Sequence, residues 1–358
     1  MISLDDIYKV VTAMFPLYVA LLLGYGSVKW WHMFKPDHCD AINRLNCYFI
    51  IPLFTFDFTT QINPYKMNFR FLAADIISKC IILIAIYLWA TFTTKGNLPW
   101  SITSFSLLSL NNSLVVGVPL MKAMFGPVGE NLVIQSSIWQ FTIWNIILLT
   151  MYAFESVNKL SPDESATDLE GNTLEVDHVA VTRRPSLLIL IKTVGLKLAK
   201  NPNAYACILG LAWALVSNRQ VIFHILCVWD LNMPSIIEGS VLIMSRAGSG
   251  VAMFCIGLFM ALQPKIIDCG WTLTAFSMLM RFVVAPATLA VGSLILGLRG
   301  DILSIAIIQA ALPQAITSFI FAKEYELHTN VLSTAVIFGT IVSIPVLIAY
   351  FVVLDLLT

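Results

Sequence analysis

The chain has 358 residues, 58% of them apolar and 12% charged, with a mean hydropathy of +0.83; a soluble domain carries about twice that charge. Lys plus Arg (21) balances Asp plus Glu (21), which excludes a basic nucleic-acid surface or an acidic tail as the main theme. The composition is that of a polytopic membrane protein, and the lipid bilayer is its first partner.

A helix needs about 20 apolar residues to cross a bilayer. In chain order, such spans are expected at 7–28, 41–61, 71–93, 102–121, 132–154, 203–218, 236–262, 273–298, 302–322 and 331–357. The N-terminus, MISLDDIYK, is acidic before its first Lys and lacks the basic region of a cleaved signal peptide. Seven cysteines, at 39, 47, 80, 207, 227, 255 and 269, form no CxxC pair and sit mostly in apolar runs. They read as small buried hydrophobes and not as a zinc site or disulfide framework.

The fifth and sixth spans are separated by the only long polar segment, which contains SPDESATDLEGNTLEVDH. It has too little apolar surface to fold alone. The expected organisation is a five-helix unit over 1–155, a linker over 156–201 and a second five-helix unit over 202–358. Eleven loop Lys and Arg residues fall on the linker's side and six on the other. The linker is therefore expected in the cytosol, with both termini on the opposite face.

The halves share landmarks without gaps. Arg44 and Arg246, Lys79 and Arg281, and Asn111 and Pro313 are each 202 residues apart. An odd number of spans per half means that the copies insert upside down relative to each other. Inverted repeats with interrupted helices are the architecture of secondary transporters. The expected fold class is all-α, ten transmembrane helices as two inverted five-helix repeats with crossing broken helices, as in sodium/proton antiporters or bile-acid transporters.

The fourth span, SLLSLNNSLVVGVPL, centres on Asn111, Asn112, Ser113 and Gly117; the ninth, AIIQAALPQAITSFIF, centres on Pro313, Gln314, Thr317 and Ser318. Pro313 lacks a backbone donor and frees a carbonyl one turn earlier. Broken backbone at membrane depth persists only where it lines a cavity or is buried in protein. Two equivalent breaks would cross near the centre and aim half-helix N-termini, with partial positive charge, at one point suited to a carboxylate. The plainer alternative is a pair of ordinary kinks. Asn112 is the first candidate ligand contact, because its amide donates without adding charge.

Asp75 and Lys79 are four apart in FLAADIISKCII and share a helix face. Each alone would cost roughly 3 kcal/mol on the insertion scale. They form either a structural ion pair or a support for the crossing, with Gln140 and Asn145 extending the network. Thr55 and Ile51 flank Pro52 and face the same cavity in this reading, while Asp57, Arg44 and Arg246 sit near span ends. No nucleophile–base pair, Walker motif or glycine-rich phosphate loop occurs, so no enzymatic activity, metal or cofactor is expected.

The segment AIIQAALPQAITSFIFAKEYELHTNVLSTAVIFG closely resembles the ninth and tenth spans of the plant PIN-FORMED auxin efflux carriers. NPNAYACILGLAWALVSNR, GSVLIMSRAGSGVAMFCIGLFMALQPKII and MISLDDIYKVVTAMFPLYVALLLGYGSVKWW are similar to the same family. The short linker resembles that of the short-loop, endoplasmic-reticulum type. TSFSLLSLNNSLVVGVPL and VIQSSIWQFTIW point to the branch around the fifth member. The resemblance implies an elevator-type carrier of indole-3-acetate and similar aromatic carboxylates, working as a homodimer. It places the pocket asparagine on Asn112, the second-helix hydroxyl on Thr55, the crossover proline on Pro313 and the support site on Asp75, Lys79 and Gln140.

Departures from the family pattern are Asn111 where a proline is usual, Asn145 after Trp144 where a tyrosine is usual, and Thr317-Ser318 where Val-Pro is usual. An apolar stretch at 221–229 is additional. The expected location is the endoplasmic reticulum membrane with lumenal termini, and the plasma membrane is the alternative. Two other functions stay open: a Na⁺- or H⁺-coupled carrier of another organic anion, and a receptor that binds without transporting.

Overall fold

The computed structural model describes residues 4–94, 96–160, 194–196, 199, 201–218 and 233–357. Most of the linker 156–201 and all of the stretch 221–229 lie outside the described residues. Among those described, the regular elements are helices, and extended pairing is confined to an isolated bridge. The helices are α1 (Leu4–Lys29), α2 (Pro36–Leu45), α3 (Ile51–Thr60), α4 (Phe69–Phe92), α5 (Leu98–Ser109), α6 (Val118–Trp139), α7 (Asn145–Leu160), α8 (Pro202–Ser217), α9 (Ser235–Ser245), α10 (Gly248–Leu262), α11 (Trp271–Leu279), α12 (Ala285–Ile295), α13 (Asp301–Ala310), α14 (Ile316–Glu324) and α15 (Thr329–Leu357). Single π-turns, Asn46–Ile50, Gln140–Trp144 and Met280–Val284, join α2 to α3, α6 to α7 and α11 to α12. A fourth, Ser113–Gly117, leads into α6.

Local signals start several of these helices. The Asn68 side chain accepts the Phe71 N–H at 3.1 Å, and that of Asn97 accepts the Trp100 N–H at 2.9 Å. Each satisfies an N-terminal donor that has no partner within its helix. Asn97 is followed by Pro99, and Asn201 by Pro202, where a missing N–H costs nothing.

Among the described residues, six helical stretches are long and apolar enough to cross a membrane: Tyr8–Lys29, Phe69–Phe92, Ser113–Ser156, Ser235–Leu262, Trp271–Ile295 and Thr329–Leu356. Pro202–Ser217 and Asp301–Ala310 are apolar but shorter. The chain is thus a mostly helical, multi-pass membrane protein. The expected ten spans exceed these six for physical reasons. The fourth and ninth are cut by their breaks. The expected second, 41–61, runs through the end of α2, a π-turn and α3, and Asn43, Arg44, Asn46 and Asp57 lower its hydropathy. The connection between the fourth and fifth is a single residue outside helical geometry, Gly126 (φ 63°, ψ −150°), just before Pro127, so the flanking helices run together as one stretch.

The helices pack in two groups. In the first, α1 lies on α10, and α3 lies on α8 and α9. In the second, α4 packs on α12, α5 and α6, α5 on α7, α6 and α12 on α13, and α11 and α14 on α15. The groups meet where α1 touches α6 and α15, and where α10 touches Ser113–Gly117. The α1–α10 contact is a backbone contact: a Cβ on Gly24 would lie 2.2 Å from the Phe254 carbonyl oxygen, and one on Gly257 2.0 Å from that of Leu21. Only glycine permits this approach, the small-residue packing by which membrane helices associate. Outward, Phe15, Leu22, Ile84, Tyr87, Ile236, Leu294 and Ile295 are exposed; such apolar surface suits lipid and not water.

Candidate substrate site at the helix crossing

The C-terminal ends of α5 and α13 meet inside the second group. Beyond each, the chain is extended for a few residues and then turns helical again. A helix broken in a dry interior must find other partners for its backbone groups, and here the two breaks serve each other. The Asn112 N–H donates to the Pro313 carbonyl at 2.9 Å, and the Ala315 N–H to the Leu110 carbonyl at 3.4 Å. Asn111 and Gln314 therefore face each other as an isolated antiparallel bridge. Its centre pairs residues 203 apart, one more than the offset of the sequence landmarks.

Gln140 acts as a side-chain substitute for a neighbouring strand. Its Oε1 accepts the Asn111 N–H at 3.2 Å, and its Nε2 donates to the Asn111 carbonyl at 2.8 Å. The Asn111 amide in turn donates to the Gln309 carbonyl at 3.0 Å, at the end of α13. The Asn111 amide thus serves a carbonyl to which Pro313, four residues on and without an N–H, cannot donate, and so ties the first break to the second.

The largest contribution comes from Arg281, which the sequence marks only as the counterpart of Lys79. It is 1% exposed, and its guanidinium reaches both broken helices. Nε donates to the Leu312 carbonyl at 2.6 Å and Nη2 to that of Ala310 at 2.7 Å. Nη1 donates to the carbonyls of Leu107 at 3.1 Å and Leu110 at 3.4 Å. A cation at two helix C-termini opposes both partial negative charges. Its rigid fork of donors suits several acceptors at once in a way that a lysine cannot match.

Beside it, Lys79 Nζ donates to Asp75 Oδ1, and both side chains are buried. The second Asp75 oxygen accepts the Trp144 indole N–H at 3.0 Å, and Lys79 Nζ lies 5.1 Å from the centre of that ring. The pair is therefore neutralised internally and further held by Trp144, which the sequence offers only as a neighbour of Asn145. Asp75, Lys79, Ser109, Asn111, Arg281 and Gln309 line a cavity of about 10 Å³. That is on the scale of a single water and far below the few hundred Å³ of an organic-ligand pocket.

Of the remaining sequence candidates, Asn112, Ser113, Pro313, Gln314 and Thr317 lie at the breaks or at the starts of the second halves. Asn112 is 9% exposed and makes no side-chain cap bond to the helix that follows. Ser113 accepts a hydrogen bond from Ser137 at 2.7 Å. The first N–H groups after each break have no acceptor within their own helix. Gln314 is fully buried, and its amide nitrogen is committed to the Ser106 carbonyl at 2.8 Å, leaving Oε1 without a partner among the described residues. Thr317 is half-buried on the first turn of α14. Pro313 is buried in the bridge itself. Asn145, at the start of α7, is buried with Oδ1 lacking a partner among the described residues.

Thr55 and Ile51 come from the other group. Thr55 is 2% exposed, with Oγ1 unpartnered among the described residues. Ile51 belongs to the same apolar cluster as Leu114, Val115, Ile316 and Phe319. Asp57, expected near the headgroups, is half-buried; it accepts hydrogen bonds from Ser245 of α9 and, at 3.0 Å, from Gln61. It ties α3 to α9 and stands apart from the crossing.

The crossing thus holds an arginine and an ion pair at its negative ends, and a buried asparagine at the start of one second half. Residues 9–351 match the family model described as membrane transport protein. The chain is 55% identical over 357 residues to "Auxin efflux carrier component 5" of Arabidopsis thaliana, covering 99% of each chain. It is 49% identical to "Probable auxin efflux carrier component 5a" of Oryza sativa subsp. japonica over the whole of both chains. To "Auxin efflux carrier component 8" of Arabidopsis thaliana it is 35% identical, covering 99% of this chain and all of the other. The chain belongs to the membrane transport protein family, alongside the auxin efflux carrier components, and is a transporter and not an enzyme.

Proposed function

We propose that the chain carries auxin, as the indole-3-acetate anion, across an internal membrane, the endoplasmic reticulum membrane. The relatives' names support the substrate, and the crossing supports the ionic form. The observation that carries the site is Asn112: a buried amide free of its own helix, placed where two half-helices begin. Its N–H₂ and the N–H groups that start the two second halves bind the carboxylate, while Ile51, Val115 and their cluster hold the aromatic ring. Thr55, Asn145, Gln314 and Thr317 complete the lining. Other aromatic carboxylates of similar size fit the same chemistry.

The same reading makes the chain ten spans in two inverted repeats, 1–155 and 202–358, joined by a cytosolic linker with both termini lumenal. Its support is that each helical group takes members from both halves, and that the two breaks pair antiparallel. The first group is then the scaffold, paired with that of a second copy in a homodimer. The second group carries the site through the membrane as an elevator, with Asp75, Lys79 and Gln140 bracing the crossing. The plainer alternative of two unrelated kinks does not account for their mutual hydrogen bonds. A second reading, an ion-coupled carrier, is favoured by one feature, the buried Asp75 carboxylate.

Binding of labelled indole-3-acetate to purified Asn112→Ala tests the site. A hydrogen bond to a charged group contributes roughly 1.5–3 kcal/mol, so affinity is expected to fall about 10- to 100-fold, with the melting temperature little changed. Unchanged affinity in a folded variant would overturn the carboxylate assignment.

A further inference from the structure

Where the two helical groups meet, α1 presents Val10, Met14 and Leu17, all buried, at the spacing of one helix face. Apolar contacts of this kind are non-directional and permit sliding. Tyr18 breaks the pattern. Its hydroxyl donates to the Thr340 carbonyl of α15 at 2.6 Å and lies 2.8 Å from Ser343 Oγ. The hydrogen bonds of the crossing and of Asp57 stay within one group, whereas this one passes between groups. The α1 end is anchored by the Gly24 and Gly257 backbone contacts with α10, so Tyr18 moves with the first group. Thr340 and Ser343 are fully buried in the second.

We propose that Tyr18, Thr340 and Ser343 form a latch that holds the two groups in the arrangement seen here and opens when one moves past the other. This rests on the reading of the second group as a moving body. The donor arithmetic suits a contact that must break. With the latch closed, Tyr18 gives its proton to the Thr340 oxygen, and Ser343 can give its own to the Tyr18 oxygen. Ser343 Oγ already lies 2.8 Å from the Thr340 oxygen. When Tyr18 withdraws, Ser343 serves that carbonyl, so opening leaves no orphan on α15. Pro345, two residues beyond Ser343, lacks an N–H and so removes the helix bond to the Ile341 carbonyl. Interhelical hydrogen bonds in membrane proteins are modest in strength, which suits a bond that holds a state without trapping it.

The test is Tyr18→Phe, which keeps the ring and removes only the hydroxyl. Spin labels at the exposed positions Leu209 of the first group and Ile295 of the second, in a background with the native cysteines replaced, report the inter-group distance in full-length protein in liposomes. The original protein is expected to show two distances, and Tyr18→Phe to lower the ratio of the arrangement seen here to the other about threefold, up to roughly fifteenfold. Two distances with unchanged populations would overturn the latch and leave the moving-body reading standing. A single distance in both proteins, with and without indole-3-acetate, would overturn both.

Discussion

Replacing Arg281 with glutamine is expected to lower stability by about 4 kcal/mol and to abolish transport, because the crossing loses the group that closes it. The guanidinium donates to the Leu107, Leu110, Ala310 and Leu312 carbonyls. Glutamine has two donors in place of five and a shorter reach. At least two buried carbonyls are left unserved, at about 1–3 kcal/mol each, and two helix C-termini lose the opposing cation. Arg281→Lys should fall between, since one ammonium cannot serve both helices at once. Melting of the purified proteins checks the order, with the original highest and glutamine lowest. A glutamine variant as stable as the original would show that the crossing is held by the bridge and Gln140 alone.

The Asp75–Lys79 pair yields the second large effect and separates support from mere packing. Either Asp75→Leu or Lys79→Met alone leaves one uncompensated buried charge, a loss of about 3–5 kcal/mol. The double variant removes both charges at similar volume, and such replacements are often neutral. It should recover most of the stability, less what Trp144 loses when its indole N–H has no acceptor. Its rate of auxin transport is nevertheless expected to stay at a tenth of the original or less, because the proposed mechanism makes the charges at the crossing part of the moving group. Stability measured by melting together with uptake in liposomes decides this. A double variant with both stability and transport restored would reduce the pair to a structural ion pair.

Much of the site could be read in the sequence because its parts are local. Asp75 and Lys79 are a helical turn apart, and Asn111–Asn112 and Pro313 interrupt apolar runs in ways that side-chain chemistry predicts. Long-range backbone accounting was not readable. Arg281 acts on carbonyls that exist as free acceptors only because α5 and α13 are broken, and Leu107 lies 174 positions away. The sequence groups Gln140 with Asp75 and Lys79; the pairing of its amide with the Asn111 backbone is visible only once the break is extended. Trp144 binds Asp75 through the one donor of an otherwise apolar ring. Among the spans, those with long continuous helices, such as α4 and α15, are plain in the sequence and in the structure. The expected second, fourth and ninth spans carry polar residues and breaks, and there the helices are too short or too polar to meet the length and hydropathy of a span by themselves.

The most direct measurement is uptake of labelled indole-3-acetate by the purified protein in liposomes, with and without a Na⁺ or proton gradient and at imposed voltages. One charge moved through 100 mV is worth roughly 2.3 kcal/mol, so a carrier of the anion alone responds to voltage and to the auxin gradient and to nothing else. Saturable uptake that needs neither ion gradient and follows the voltage is the predicted result. Uptake only with an imposed Na⁺ or proton gradient, or binding with no uptake at all, would contradict it.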